Sequence, residues 1–440
     1  MAVESLDAEP LNEVEEDESG EEYGDTRLAA DADRTPLRPG VMAVLLVALP
    51  MFGQIFHYMK DLIPLWSLSK AFPILSLPLV FVVFRHPVVP MTRQVLASFL
   101  WLMLVPSFAA IFTFDQDFFT GLTAQVKLLP MLYFFSFLGL LLLLQPTLRE
   151  LMAGFLILGI ITFVSLVIIW AVVPQSWYSD NYPIGASPIL TTDNRGNRVR
   201  MPMYFSMVAI FYFYRRFLQR PSFRPLLATA IGIAITMGIV KTRAMLVGIA
   251  GVVVLNGFFV TRGFLRYAVS GIALAGVVAS FSFGYLSSIF RTDPSSGFSV
   301  RWETILKATA FLGINPLHWL LGVGTISPTS KDSLSAFFDH AFFLADITWL
   351  GIVFEFGIIG ALMFIAYEVR GMLFYQRQLK PRIDSLFLAA LQDYLLYVLL
   401  ISNLYPPTLT PGETAVILAI YAYVWQWLQQ YDAERTEESE

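Results

Sequence analysis

The sequence lacks cysteine and contains few charged residues. Of its 440 residues, 14% are charged and 56% are hydrophobic, whereas soluble globular domains have about 25% charged residues. The absence of cysteine excludes disulfide bonds, thiolate metal ligands and a cysteine nucleophile. The shortage of charge, together with a mean hydropathy of +0.63, excludes a soluble enzyme and a fibrous protein and predicts a membrane protein.

The acidic residues are concentrated at the two ends of the chain. Residues 1–39 and 432–440 together hold 18 of the 34 Asp and Glu residues but only 4 of the 29 Lys and Arg residues. Residues 4–25 have too little apolar surface to offset the entropy lost on ordering them. We therefore predict an acidic disordered cytoplasmic tail at 1–40, a transmembrane domain at 41–430 and a second acidic cytoplasmic tail of the same disordered kind at 431–440.

Apolar runs of membrane-spanning length recur through the central segment. A helix needs about 20 apolar residues to cross a hydrocarbon core of about 30 Å, and can be shorter where it is partly internal to the protein. The sequence shows no internal repeat, glycine-rich phosphate loop or heptad pattern. We predict one all-α, polytopic transmembrane helix bundle whose twelve spans are 41–58, 65–84, 95–114, 128–145, 151–173, 202–218, 225–241, 244–260, 264–283, 344–367, 384–404 and 412–429.

Lys and Arg are unevenly distributed between alternate loops. Cytoplasmic loops are the ones enriched in these residues, and the bias predicts that both termini are cytoplasmic. Two long loops, 174–201 and 284–343, are then extracytoplasmic, and the second contains a segment from residue 299 whose first part has helical spacing. The thirteen residues of the inward loops are Arg85, Arg93, Arg149, Arg215, Arg216, Arg220, Arg224, Arg262, Arg266, Arg370, Arg377, Lys380 and Arg382.

Only Lys241-Thr242-Arg243 separates the predicted seventh and eighth spans. Residues 226–260, thirty-five in all, would extend ~52 Å as one helix. This length is too great for one crossing of the membrane, so the chain must turn near Lys241-Thr242-Arg243. The turn puts Arg243 at the outer membrane face, where it is either an interfacial snorkelling residue or a functional one. We favour function, because outward loops disfavour Lys and Arg and a tight turn holds Arg243 near the bundle wall.

The second long loop contains another isolated arginine. Glu303 and Lys307 form an ordinary pair one helical turn apart, whereas Arg301 falls on a face that is otherwise apolar. Its partner is either a nearby carboxylate or lipid headgroup or a bound ligand, and position alone does not separate these interpretations. Pro316 is expected to end this helix, and Gly322-Val323-Gly324 to turn the chain back toward the membrane.

His340 is a single histidine just before the predicted tenth span. No second histidine lies at i+3 or i+4, so the sequence predicts no zinc site. The residue is either structural or a proton acceptor, for which its ordinary pKa of about 6.5 is suitable. In the first long loop we interpret Arg195 and Arg198 as solvated, and Arg200, beside the start of span six, as a site candidate.

The predicted orientation brings Arg200, Arg243, Arg301 and His340 to one side of the membrane. Guanidinium groups bind phosphate oxygens bidentately, so this cluster suits a phosphate or pyrophosphate ligand. With these residues, the sequence resembles the bacterial O-antigen ligase and polymerase family, polytopic enzymes that act on glycans carried by undecaprenyl pyrophosphate. The matching segments are Lys241-Thr242-Arg243-Ala244; Arg301-Trp302 followed by Asn315-Pro316 and Gly322-Val323-Gly324; and His340 followed by Glu355-Phe356-Gly357-Ile358-Ile359-Gly360.

The resemblance covers roughly residues 200–370, with two departures. Ala341 follows the histidine where the family often has Asn, and His318-Trp319-Leu320-Leu321 lengthens the stretch between the proline and the glycines. These departures concern the acceptor rather than the reaction class.

The resemblance implies a C-type membrane glycosyltransferase that inverts the anomeric carbon and needs neither metal nor cofactor. Arg243 and Arg301 would bind the pyrophosphate and stabilise the charge that develops as it leaves. Arg200, Lys241 and Trp302 would extend this binding site.

The resemblance also implies a base and a set of partners. His340 would accept the proton of the attacking sugar hydroxyl. The partners would be an undecaprenyl-pyrophosphate-linked oligosaccharide, a glycan or lipid A core acceptor, membrane lipids and other polysaccharide-assembly proteins, and not nucleic acid. The protein would lie in the bacterial inner membrane with its site facing the periplasm or exterior.

The sequence leaves the acceptor open. A polymerase of O-antigen or exopolysaccharide repeat units is favoured over a ligase that transfers glycan to lipid A core or protein, because no feature identifies a lipid A core or protein acceptor site. A polytopic transporter is the alternative of another class. It would place ionisable residues at mid-membrane and show repeat symmetry, whereas the predicted spans are nearly free of charge.

Overall fold

The computed structural model is built from helices and one small hairpin. It describes residues 36–57, 59–86, 89–180, 188–193, 196–260, 297–326, 337–338, 342, 344–402 and 411–439, together with 267, 271 and 275. Within these ranges the helices are α1 Pro39–Phe52, α2 Ile63–Leu75, α3 Val80–Val83, α4 Thr92–Phe114, α5 Phe118–Ala124, α6 Tyr133–Leu144, α7 Leu148–Val172, α8 Tyr204–Gln219, α9 Phe223–Ile235, α10 Arg243–Val260, α11 Gly297–Leu312, α12 Pro316–Leu321, α13 Thr348–Phe374, α14 Leu386–Ile401 and α15 Pro411–Ser439.

Several α-helices are joined by 3₁₀-helical segments or extended by π-helical turns. The segment Gln125–Leu132 joins α5 to α6 in one helical run, Phe118–Leu144, and Leu77–Leu79 lies in the run Ile63–Val83 between α2 and α3. Thr236–Val240 extends α9, and Tyr375–Leu379 extends α13. Two antiparallel strands, β1 Leu190–Asp193 and β2 Gly196–Val199, form the hairpin.

Six of the described helical segments are long and apolar enough to cross a membrane, so the protein is an all-α membrane protein, as predicted. The six are Ile63–Val83, Thr92–Phe114, Phe118–Leu144, Leu148–Val172, Phe223–Val240 and Thr348–Leu379. A helix lies at eleven of the twelve predicted span positions. The predicted ninth span, 264–283, and the first 35 residues of the predicted N-terminal tail lie outside the described residues, apart from positions 267, 271 and 275.

The helix α15 occupies the centre of the bundle. Every residue from 411 to 424 is buried, and this part of the helix packs against α6, the 125–132 segment, α13 and α1. Beyond residue 428 the helix is exposed, but it continues to Ser439. The predicted disorder of 431–440 is therefore wrong for residues 431–439, because a helix already nucleated in the core extends at little cost through residues of good helix propensity.

The two ends of the bundle can be assigned from the short connections. Thr147 and Glu150 cap the start of α7 reciprocally, and Arg38, just before α1, donates to Glu150. Tyr423 of α15 donates to the carbonyl of Pro146 in the same turn at 3.0 Å. One end of the bundle therefore contains the turn between α6 and α7, the start of α1 and the middle of α15. The α4–α5 turn and the end of α7 lie at the opposite end, because α5–α6 and α7 each run the length of the bundle.

The interior contains charges that the sequence did not predict. Arg215 of α8 binds Asp393 of α14 through two hydrogen bonds of 2.7 and 2.6 Å and also donates to Asn256 of α10 at 3.0 Å. The expectation that the spans are nearly free of charge is therefore wrong, and Arg215 is a partly buried, ion-paired residue of α8 rather than a loop residue. Such residues are isolated in the sequence, and only packing brings the partners together.

Candidate functional site

The predicted turn between spans seven and eight is confirmed. The π-helical turn that extends α9 ends at Val240. Lys241 then adopts a left-handed backbone conformation with φ of 53°, and α10 begins at Arg243. The helices thus run over 223–240 and 243–260, where the sequence predicted spans at 225–241 and 244–260. The backbone of Arg243 therefore starts a helix directly after the turn.

The hairpin lies against this turn. A Cβ atom on Gly196, the first residue of β2, would lie 3.4 Å from Nζ of Lys241. Arg200 follows β2 directly, and its backbone N–H donates to the carbonyl of Ile189 at 2.7 Å. Two of the predicted site residues, Arg200 and Lys241, are thus brought to the same hairpin.

The interpretation of Arg198 as a solvated loop residue is wrong. It lies on β2 opposite Thr191, only 5% of it is exposed, and its Nε donates to Oγ1 of Thr191 at 3.1 Å. The end of β2 is buried at both Arg198 and Val199, which a loop interpretation could not foresee. Arg195 lies outside the described residues.

The helix α11 confirms the predicted faces. Glu303 and Lys307 form the expected pair at 2.7 Å, and Ala308 and Leu312 are fully buried on the apolar stripe. Arg301, at the start of that stripe, is exposed.

Trp302 and Pro316 were also predicted to have specific roles in this loop. Trp302 is exposed by 54%. Contrary to prediction, Pro316 does not end α11, which stops at Leu312 before a left-handed Gly313. Asn315 instead caps α12, and Pro316 is its first residue, a position where the missing N–H costs nothing.

The loop after α12 is buried between two helices. Residues 322–326 are all buried, the N–H of Val323 donates to the carbonyl of Phe354 at 2.8 Å, and the side chain of Gln116 donates to the carbonyl of Thr325 at 3.1 Å. A Cβ atom on Gly324, whose φ is +89°, would lie 2.4 Å from the carbonyl oxygen of Pro106 in α4. Only glycine fits this contact, which packs the loop against α4, and the predicted return of the chain toward the membrane stays a prediction.

The helix α13 is broken where this loop meets it. Gly357 has φ of 70° and ψ of 176° inside the helix, and a Cβ atom there would lie 2.1 Å from the carbonyl oxygen of Leu320. The break leaves the carbonyl of Phe354 available to Val323. Irregular backbone at membrane depth is tolerated only where protein buries it, and broken helices of this kind line binding sites in membrane proteins. The glycine loop and the Glu355-Phe356-Gly357 segment therefore form one structural unit.

An ion pair at this break was missed in the sequence. Nζ of Lys127 lies 2.6 Å from Oε2 of Glu355 and 5.2 Å from the ring centroid of Phe356. Both charged side chains are partly buried, Lys127 with 28% and Glu355 with 12% of its side chain exposed. The only sequence signal was that each charge interrupts an apolar run.

The hairpin and the broken helix lie at the same end of the bundle. Gln116, which holds the buried loop, is in the α4–α5 turn, and the hairpin follows α7, which ends at that level. The neighbouring Asp117 caps α5, and hydrogen bonds from the side chain and backbone of Thr120 lower the pKa of this carboxyl group. One end of the protein thus combines cationic side chains, a buried glycine loop and a helix break.

Two parts of the predicted site stay predictions. His340 lies outside the described residues, and α11, which carries Arg301, packs on α13 and 344–347 rather than on the hairpin. Among the described residues no group of three or more His, Asp and Glu side chains is arranged to hold a metal ion. No protein-family model and no curated protein matches the chain.

Proposed function

We propose that the protein is a metal-independent, inverting glycosyltransferase that acts on glycans carried by undecaprenyl pyrophosphate. The observation that carries the proposal is the contact between Gly322-Val323-Gly324 and Glu355-Phe356-Gly357. These segments are distant in the sequence, both belong to the resemblance to O-antigen ligases and polymerases, and each requires glycine because the other approaches its backbone. Lys241 and Arg200, beside the hairpin, add positive charge at the same end.

In the proposed topology, the protein crosses the inner membrane of a bacterial cell twelve times, and both termini lie in the cytoplasm. The end that contains the hairpin and the broken helix then faces the periplasm or exterior. The excess of Lys and Arg in the opposite loops supports this orientation. A reporter that is active only in the cytoplasm should work after Leu218 or Arg377 and be silent near Asp193 or Ser330, and activity at Ser330 would invert the topology.

In the proposed reaction, the oxygen of an acceptor sugar hydroxyl attacks the anomeric carbon and the bond to the carrier pyrophosphate breaks. Arg243 and Arg301 bind the departing pyrophosphate, whose negative charge increases as the bond breaks. His340 takes the hydroxyl proton. The acceptor is a further repeat unit in a polymerase, which we favour, or lipid A core or protein in a ligase.

Alanine substitution of the two arginines tests the proposal. In cells lacking the native gene, Arg243→Ala and Arg301→Ala should abolish glycan transfer at unchanged membrane level. Arg→Lys at either position should also be poor, since a point charge cannot replace a bidentate contact. Arg377→Ala, at the opposite end, is the matched control and should retain transfer. Normal product from both alanine variants would overturn the proposed pyrophosphate site.

The role of His340 requires a purified assay with a carrier-linked donor. Transfer should persist in a chelator, and His340→Ala should lower the rate by about 10²–10⁴-fold, the usual contribution of a general base. Loss of transfer in chelator that a divalent ion restores would contradict the metal-free reaction.

A transporter is the second candidate, because α13 is broken within the membrane and ionisable groups lie in the interior. Both features are typical of transporters. The purified assay separates the two classes, since an enzyme forms a glycan product in detergent without any sealed compartment. A transporter would form no product and would move its substrate only across sealed vesicles.

A further inference from the structure

Two carboxylic acid side chains lie in the interior, away from the glycine loop. Glu413, in the first turn of α15, is 5% exposed, and Glu368, on α13, is 4% exposed. Thr414, next to Glu413, donates its hydroxyl to Oε1 of Glu368 at 2.7 Å. The two carboxyl groups are therefore held together by neighbouring residues of one helix turn.

Both carboxyl groups lie deep in the bundle. Glu413 precedes Tyr423, whose hydroxyl reaches the α6–α7 turn, by ten residues, or ~15 Å along the helix. Glu368 precedes the end of the α13 extension at Leu379 by eleven residues, or ~16 Å. The two distances agree and correspond to about half the thickness of a 30 Å hydrocarbon core.

The partners of these groups are neutral. The hydroxyl of Tyr394 donates to Oε2 of Glu413, and the hydroxyl of Tyr204 donates to its backbone carbonyl at 3.3 Å. Gln54, after α1, accepts the N–H of Gly412 at 2.8 Å. The ion pairs formed among the described residues involve other acids: Glu150, Glu355, Asp393, Glu303 and Asp432.

Several polar atoms beside the pair have unsatisfied hydrogen-bonding capacity. Oε2 of Glu368 and the hydroxyls of Tyr367 and Tyr133 are buried and make no hydrogen bond within the part of the chain that the structure describes. Tyr367 directly precedes Glu368 on α13, and the Tyr133 ring packs against Gly412, where a Cβ atom would lie 2.9 Å from Cδ2 of the ring. A proton on Oε2 would convert an orphaned acceptor into a hydrogen-bond donor.

We propose that Glu368 and Glu413 form a proton-binding site inside the membrane, in which both carboxyl groups hold a proton near neutral pH. An ionised carboxylate without a cationic partner is too costly to bury, so such a group takes up a proton instead. The groups that face the pair are Tyr367 from α13, Tyr394 from α14, Tyr204 from α8, Tyr133 from α6 and Gln54 after α1. Lys127, on the 125–132 segment that also packs on α15, is bound to Glu355.

Infrared spectroscopy of the purified full chain tests the site directly. A protonated carboxylic acid has a C=O stretch that is separate from the ionised carboxylate band and shifts in deuterated water. At neutral pH the wild type should show this band, Glu368→Gln and Glu413→Gln should each lose part of it, and the double variant should lose both parts. Glu150→Gln is the matched control, because Glu150 is equally buried but paired with Arg38, and should leave the band unchanged.

A second measurement needs no variant. Labelling the glutamate side-chain carboxyl with heavy carbon should shift the acid band of the wild type. A labelled wild type without any glutamate acid band at neutral pH would overturn the proposal. Disappearance of the band when sodium replaces a bulky organic cation would overturn it in favour of an alkali-cation site. Neither result depends on glycan transfer, so the proton site and the proposed enzyme can fail separately.

Discussion

The broken helix α13 contains two glutamates whose side chains have different kinds of partner. Glu355, at the break, is paired with Lys127 at 2.6 Å, whereas Glu368, further along the same helix, has only a threonine hydroxyl as its hydrogen-bond partner among the described residues. One is stabilised as an ion, and the other lies where an ion has no compensation. Within one helix, the local supply of positive charge thus separates a charged site at the bundle end from a neutral polar site in the interior.

The largest expected effect comes from the glycine contact that shapes the charged site. Gly357→Val should prevent assembly of the native fold, at a cost above about 4 kcal/mol, because its side chain meets the carbonyl of Leu320 and its φ is positive. Size-exclusion chromatography of the detergent-solubilised protein measures this loss. Gly40→Ala, where a Cβ atom meets nothing within 4 Å, is the matched control. A monodisperse Gly357→Val protein would show that the loop and the helix break do not depend on each other.

Breaking the ion pair should have the next largest effect. Lys127→Ala leaves Glu355 partly buried without a partner, which should cost about 2 kcal/mol after allowance for its exposure. Lys127→Met with Glu355→Gln should recover much of the loss, because neither variant side chain carries a charge. Thermal unfolding in detergent compares the single and double variants, and purely additive losses would mean that the pair is not coupled.

The interior pair should tolerate neutral replacement. Glu368→Gln or Glu413→Gln should change the free energy of unfolding by less than about 1 kcal/mol near neutral pH, since glutamine resembles the protonated acid and a hydrogen bond contributes about that much. The same thermal measurement applies. A loss as large as that of Lys127→Ala would indicate that the interior carboxyls are ionised.

The pH dependence of thermal stability also tests whether Glu368 and Glu413 are protonated in the folded protein. A folded state that holds protons which the unfolded chain releases is stabilised at low pH and loses stability as the pH rises, because stability increases with pH only where the unfolded state binds more protons. Wild-type thermal stability should therefore fall as the pH is raised from neutral, and the Glu368→Gln, Glu413→Gln double variant should fall less. Equal slopes would place the proton loss elsewhere.

The smallest effect is expected at the exposed helix pair of α11. Lys307→Ala should change stability by about 0.5 kcal/mol or less, because solvent-exposed ion pairs contribute little. It provides the lower reference for Lys127→Ala in the same assay. A comparable loss at both positions would remove the distinction between a buried and an exposed pair.

Local sequence features predicted much of the secondary structure. The turn at Lys241 follows from the length limit of one crossing, and the apolar stripe containing Ala308 and Leu312 follows from helical periodicity. Both depend on residues close together in the chain. The turn of the chain at Gly322 and Gly324 was also predictable, because only glycine adopts that backbone conformation without cost.

The partners of these elements were not predictable. The sequence interpretation made Arg215 a cytoplasmic loop residue and Arg198 a solvated one, whereas the structure partly buries Arg215 and buries Arg198, each with a specific partner. Lys127 and Glu355 are far apart in the chain, as are Glu368 and Glu413. No periodicity relates such residues, and a single charge in an apolar run looks the same whether it is paired or not.

By itself, the sequence determined that this is an all-α membrane protein, where its helices turn and which faces are apolar, because hydrophobicity, helix length and glycine conformation act over short distances. Only the tertiary structure decided that α13 breaks against the loop from 322 to 326, that Lys127 neutralises Glu355 and that Glu368 and Glu413 lie together among neutral hydrogen-bond partners. These outcomes depend on which helices pack together, and the energy of a buried charge is set by groups that packing brings within a few ångströms.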